Sequence, residues 1–157
     1  MNWFISNRDF IKNLAINTGT SANPTFTTMC TTSEISVETD LEQKDFFVFC
    51  DALKRKITTG AEVKLTGSVK IDVNNEAVIG LLGNVHALIG EGTISQFNNL
   101  LIKFDLLTDA SNNVLEYTTY QVPVSLVLSD LGGAAEDEGE FSFEMAFIGK
   151  ATVVASS

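Results

Sequence analysis

Between residues 63 and 72 the chain reads Val-Lys-Leu-Thr-Gly-Ser-Val-Lys-Ile-Asp, with apolar residues or glycine at odd positions and polar residues at even ones. Successive side chains of a β-strand point to opposite sides, so this two-residue rhythm builds a sheet with one dry face and one wet face. The rhythm returns at Leu100, Ile102, Phe104 and Leu106, at Val122, Val124, Leu126 and Leu128, and at Phe141, Phe143, Met145 and Phe147. Dry faces must pack on each other or close on themselves. A mainly β, antiparallel sandwich or barrel-like domain is expected, with its wet faces left for solvent or partners.

The segments between these strands are less regular. Residues 25–32 and 34–38 are rich in β-branched or alternating residues and read as two strands. Residues 45–57 fit either a strand or a helix, and the crowding of Phe46, Phe47, Val48 and Phe49 favours a strand. Asn74 and Asn75 suit the start of a helix, with Glu76 in its first turn. Val78, Leu81, Leu82, Val85, Leu88 and Ile89 then recur at helical spacing until Gly90 and Gly92, which predicts one helix over about 75–89 flanking the sheet. Its interior Gly80 and Gly83 suggest a helix backbone lying close to the sheet. Residues 114–119 read as a return strand and 151–155 as a last short edge strand. Residues 1–23 carry Trp3, Phe4 and Phe10 without a clear period and read as an arm, which would dock elsewhere or cap the chain's own core.

At 157 residues the chain suits one domain large enough to bury a core without staples. Its net charge of −10 repels nucleic acid as a bound ligand. Cys30 and Cys50 fall in predicted strands and are expected as free, buried thiols. The first residues lack the pattern of a secretory signal, and the longest apolar stretch, 77–89, is shorter than the ~20 residues of a membrane span. Synthesis and folding in a cytoplasm are expected, with no membrane partner.

The search for chemistry returns little. His86 is the sole histidine, so a nucleophilic triad would have to use it, and no nucleophile elbow is nearby. The glycines from 80 to 92 lie within or after a helix and lack the Gly-Lys-Ser/Thr ending of a phosphate loop. The acidic loop with Asp130, Glu136, Asp137, Glu138 and Glu140 lacks the alternating ligand spacing of a calcium hand and reads as a solvated turn. No catalytic, cofactor-binding or metal-binding residue is assigned, and no cofactor is expected. Two charge clusters stand out. Glu38, Asp40 and Glu42 precede the 45–57 segment and Lys54, Arg55 and Lys56 close it, giving a hairpin-like excursion over about 38–62 with opposite signs at its two feet. In a stacked assembly the acidic foot of one copy would face the basic foot of the next.

The chain resembles the tail tube (major tail) proteins of long-tailed bacteriophages. The resemblance rests on Ile16-Asn-Thr-Gly-Thr20 followed by Pro24-Thr25-Phe26, on Phe49-Cys50-Asp51 leading into the basic patch, and on Lys70-Ile71-Asp72 with the helix after it. Residues 122–130, the Gly/Asp/Glu loop and residues 141–149 complete it. Many members of that family carry Trp where Phe26 stands here. The resemblance implies a non-enzymatic virion protein that self-assembles into stacked, hexameric rings. The resulting hollow tail tube passes DNA, as transient cargo, during ejection. It further implies tail tip, tape measure and tail terminator proteins as partners, and assembly in the bacterial host cytoplasm. On this chain, Glu38, Asp40, Glu42, Lys54, Arg55 and Lys56 become ring-stacking candidates. Trp3, Phe4 and Phe10 become arm-docking candidates, and Lys64, Thr66, Ser68, Lys70 and Ser125 lumen candidates. Two other readings compete: a monomeric β-sandwich module that binds glycans through exposed aromatics, and a hydrolase using two carboxylates.

Overall fold

A computed structural model describes residues 4–20, 22–48, 51–111 and 114–154. Among these described residues, three helices, α1 (Asn7–Phe10), α2 (Glu76–Glu91) and α3 (Ser95–Asn98), accompany eight strands. The strands are β1 (Ile11–Asn17), β2 (Phe26–Thr28), β3 (Thr32–Val48), β4 (Asp51–Lys70), β5 (Leu100–Ser111), β6 (Val114–Ser129), β7 (Glu140–Phe147) and β8 (Thr152–Val154). All pairings are antiparallel, in the order β2-β1-β5-β6-β7-β4-β3, with β8 beside β6.

Chain length shows that this single sheet curls. Laid flat, seven strands would span roughly 29 Å from β2 to β3. Thr28 at one edge and Thr32 at the other are joined by only Met29, Cys30 and Thr31, a link of at most about 14 Å. The two edges therefore come together, and the dry faces close on one core as the alternation requires. Leu65 and Val69 of β4, Phe141, Phe143 and Met145 of β7, Val122, Val124 and Leu126 of β6, and Ile102 and Phe104 of β5 all lie in it. Each such side chain contributes roughly 1.5–3 kcal/mol by leaving water. The two edges do not zip completely: a groove of about 510 Å³, lined by Ile11, Leu14, Met29 and Ile35 among others, separates β1 from β3.

Helix α2 closes one end of this barrel-like body. Asn75 caps it by accepting from the amides of Ala77 (2.9 Å) and Val78 (3.4 Å), and its own amide donates to the Thr28 carbonyl. Gly92 ends it in the left-handed region at φ 68°, where its amide reaches the Leu88 carbonyl. The helix fits the core less deeply than its apolar spacing suggests. Only Ala77, Val78 and Leu81 are buried, whereas Leu88 and Ile89 are exposed. Nor do its glycines mark a close approach: a Cβ on Gly80 would meet only Thr18 at 3.9 Å, and one on Gly83 would meet nothing.

Three further expectations change. The arm expected over 1–23 is shorter, because Ile11–Asn17 is an interior strand between β2 and β5. A bulge at Asn13, which adopts φ 57°, breaks the alternation there and leaves Leu14, Ala15 and Ile16 buried in succession. The buried Asp105 carboxylate holds that bulge, accepting from Asn13 Nδ2 (2.8 Å) and Thr119 Oγ1 (2.5 Å). Residues 25–32 do not form one strand, since β2 ends at Thr28 and the chain crosses to β3. Cys30, on that crossing, is a free thiol as expected but exposed instead of buried, while Cys50 lies outside the described residues.

Candidate functional site

Registers across β3, β4, β7 and β6 decide what the wet face displays. Lys64 lies opposite Glu38 on one side and Ala146 on the other, and Ala146 lies opposite Ser125. The next outward rung runs Ser36, Thr66, Glu144, Val127, and the next Glu34, Ser68, Ser142, Ser129. Lys64, Thr66, Ser68, Lys70 and Ser125 thus share one outward face, while Leu65, Val69, Phe141, Phe143, Met145 and Leu126 point to the core. The face continues onto the outer parts of β3 and β4, where Asp40 lies opposite Glu62 and Glu42 opposite Gly60.

This face is acidic. Glu34, Glu38, Asp40, Glu42, Glu62, Glu140 and Glu144 stand against Lys64 and Lys70, a net of −5, half of the chain's −10. Lys64 Nζ lies 3.0 Å from Glu144 and 3.6 Å from Glu38. Its hydrogen bond and attraction to Glu144 raise its pKa above the ordinary lysine value. Lys70 pairs at 2.6 Å with Glu138, so its pKa rises and that of Glu138 falls below the usual carboxylate range. Both lysines are committed to neighbours, and one rung further out Asp40 faces Glu62, carboxylate against carboxylate. Sequence reasoning missed Glu34, Glu62, Glu140 and Glu144 for this face. The signal was present, since Glu140 and Glu144 alternate with Phe141 and Phe143.

Beyond the body, β3 and β4 run on as a two-stranded ribbon. β4 pairs with β7 only from Lys64 to Lys70, so among the described residues 39–48 and 51–63 have just each other, across roughly 30 Å. The excursion expected over 38–62 is this ribbon, but its charges sit differently from the expectation. Glu38, Asp40 and Glu42 are near its base, whereas Lys56 lies opposite Asp45 and Arg55 opposite Phe46, close to the tip. Acidic and basic clusters are therefore not two feet side by side; they lie roughly 20 Å apart along one projection. The side chains of Lys54 and Arg55 lie outside the described residues.

A second, shorter ribbon extends β5 and β6 past Leu107 and Tyr117 on the same end of the body. The start of the chain is tied to it: Tyr117 Oη donates to the Asp9 carbonyl (2.6 Å), and Lys12 Nζ sits 4.0 Å from the centre of the Tyr117 ring. Of the arm candidates, Phe4 and Phe10 are exposed on this segment and Trp3 lies outside the described residues. His86 is exposed on α2. Among the described residues no group of three or more His, Cys, Asp and Glu could hold a metal ion, and no helix is long and apolar enough to cross a membrane.

No protein-family model and no curated protein sequence matches the chain. Solved structures do. The chain is similar to a protein in the tail of an empty gene transfer agent particle of C6 symmetry, with a TM-score of 0.60 and 12% identity over 97% of this chain and 100% of the other. A chain of the sheath-tube complex of an extracellular contractile injection system matches with a TM-score of 0.55 and 12% identity, over 98% of this chain and 93% of the other. A chain in the virion of a native gene transfer agent matches with a TM-score of 0.54 and 13% identity, over 91% of this chain and 96% of the other. At such identities the likeness is one of fold, and it extends over nearly the whole of each chain. The protein has the fold of the tail tube proteins of phage-like particles.

Proposed function

We propose that this protein is the structural subunit of a tail tube, self-assembling into rings that stack around a bore through which DNA passes. The observation that carries the reading is the open four-stranded wing β3-β4-β7-β6 with its acidic outward face. Among the described residues, no strand pairs with β3 on the side away from β4, and none pairs with residues 125–129 of β6 on the side away from β7. Exposed edges of this kind invite another chain, and two edges on one wing allow copies to continue the sheet around a ring. With the wing turned inward, Lys64, Thr66, Ser68, Lys70 and Ser125 line the bore.

The charge follows from that placement. Six copies, the number in the C6 tail of the similar particle, would put roughly −30 on the inner wall and repel phosphates, so that DNA slides without sticking. The ribbon bearing Glu38, Asp40, Glu42, Lys54, Arg55 and Lys56 projects along the strands to engage the next ring. The segment carrying Phe4 and Phe10, tied to the second ribbon, is the other contact between rings. Sites of action are the virion tail, after assembly in the host cytoplasm, with tail tip, tape measure and tail terminator proteins at the tube's ends. Negative-stain electron microscopy of the concentrated, purified chain tests the reading. Rings or tubes with a central bore are expected; folded material that stays monomeric at every concentration and salt level would remove it.

A further inference from the structure

The subunit is polar: an acidic loop sits at one end, and the ribbon that projects from the other end has a basic tip. β4 runs from the ribbon tip down to Lys70, and β6 runs parallel to it, since both are antiparallel to β7. The ends of β4 and β6 therefore lie together, opposite the ribbon tip. The loop from Asp130 to Gly139 sits at that far end, fastened by the Ile71 amide to the Gly139 carbonyl (2.8 Å) and by Lys70 to Glu138. Within residues 130–140 there are five carboxylates and no cation. The described positions nearest the tip, residues 44–48 and 51–57, are the reverse: Lys44, Lys54, Arg55 and Lys56 outnumber Asp45 and Asp51, giving +2 in a chain of −10.

We infer that the acidic loop end of one copy receives the basic ribbon tip of a second copy, head to tail, and that this contact joins successive rings. The inference rests on the tube reading above and names the surface that the ribbon meets. Three observations carry it. The receiving end is concave, with a groove of about 820 Å³ between the loop and β4, lined by Lys70, Asp130, Gly132, Asp137, Glu138 and Glu140. Apolar groups are left uncovered at both ends: Leu41 and Ile57 on the ribbon, and Leu131 on the loop with Ile89 at the end of α2. The ends face opposite ways along the strands, so copies related by translation along that axis bring tip to loop, and such a heterologous contact repeats without closing. The acidic base of the ribbon cannot be the receiver in that arrangement, because it is at the same end of the body as the tip. Complementary fields of this kind select register and weaken with salt.

Charge exchange in the full-length chain tests the contact, read by pelleting and electron microscopy. Lys54→Glu with Arg55→Glu and Lys56→Glu is expected to lower the fraction in tubes at least tenfold while the variant melts like wild type. Glu136→Lys with Asp137→Lys, which leaves the Lys70–Glu138 pair intact, is expected to do the same. Combining the two sets should restore at least half of the tubes, and a neutral Glu136→Gln with Asp137→Asn should not rescue the tip variant. Wild-type tubes that are lost in the tip variant but unchanged in the loop variant, or no restoration on combining them, would overturn this contact and leave the tube reading standing. A wild-type chain that never assembles would overturn both.

Discussion

Residues 64–70 and residues 51–63 belong to one strand, β4, yet only the first half is held from both sides. Between β3 and β7 that half alternates in the folded state as it does in sequence, with Leu65 and Val69 wholly buried and Lys64, Thr66 and Ser68 turned outward. In the ribbon the same strand has one partner among the described residues and no core beneath it, so Ile57 of β4 and Leu41 of β3, three rungs apart along the ribbon, stay about half exposed. A two-stranded ribbon has little stability of its own. The contrast teaches that burial under partners on both sides fixes the body, whereas the ribbon, among the described residues, has only its own two strands to hold it.

Substitutions matched between the two halves test that contrast. The largest effect is expected at Gly67, where a Cβ would lie 2.0 Å from the Glu34 carbonyl oxygen and 2.9 Å from the Phe143 ring. Gly67→Ala should therefore cost about 4 kcal/mol in chemical denaturation, because backbone has to move. Its ribbon counterpart, Gly60→Ala, would meet only the end of the Glu42 side chain at 3.7 Å and should change stability by less than about 0.5 kcal/mol. Equal losses at the two positions would erase the distinction between body and ribbon. Next comes the paired truncation: Leu65→Ala should cost about 3 kcal/mol through lost burial and an unfilled cavity. Leu41→Ala should leave the monomer's denaturation midpoint nearly unmoved and act on assembly instead.

The smallest expected effect concerns the pair at the loop end. Lys70 holds the Glu138 pKa below the usual range, so the pair's contribution is present above the ordinary glutamate pKa and fades as pH falls through the lowered native value. The raised pKa of Lys70 gives the opposite limit: the contribution holds below the ordinary lysine value and is lost as pH rises through the higher native one. Thermal melts of wild type and Glu138→Gln should differ slightly at neutral pH and converge in acid. A difference that persisted well below the carboxylate range would point to packing by Glu138, not to its charge.

Much of the body was legible. The alternating runs at 63–69, 100–106, 122–128 and 141–147 are strands with the expected inward residues, and Asn75 caps the helix that Gly92 ends. β1 was hidden because its bulge at Asn13 puts three consecutive residues into the core, and a pattern with neither period reads as an arm. The helix misled in the other direction, since its apolar stripe is longer than the opening it plugs. The acidic face was visible only as residue types. Glu144 comes beside Lys64 through the pairing of β4 with β7, two strands separated by more than sixty residues, and no local rhythm encodes that register.

Side-chain alternation by itself determined that this chain makes antiparallel strands with one dry face, because a strand's geometry sends neighbouring residues to opposite sides whatever it pairs with. Its composition likewise set an excess of negative charge. Strand order and register were decided only by the tertiary structure: which carboxylates share a face, which cationic residues sit at a tip, and which edges remain open. The reason is that hydrogen bonds between strands are non-local. Their order is selected by how the whole core closes, and the charges are carried to their positions by that closure.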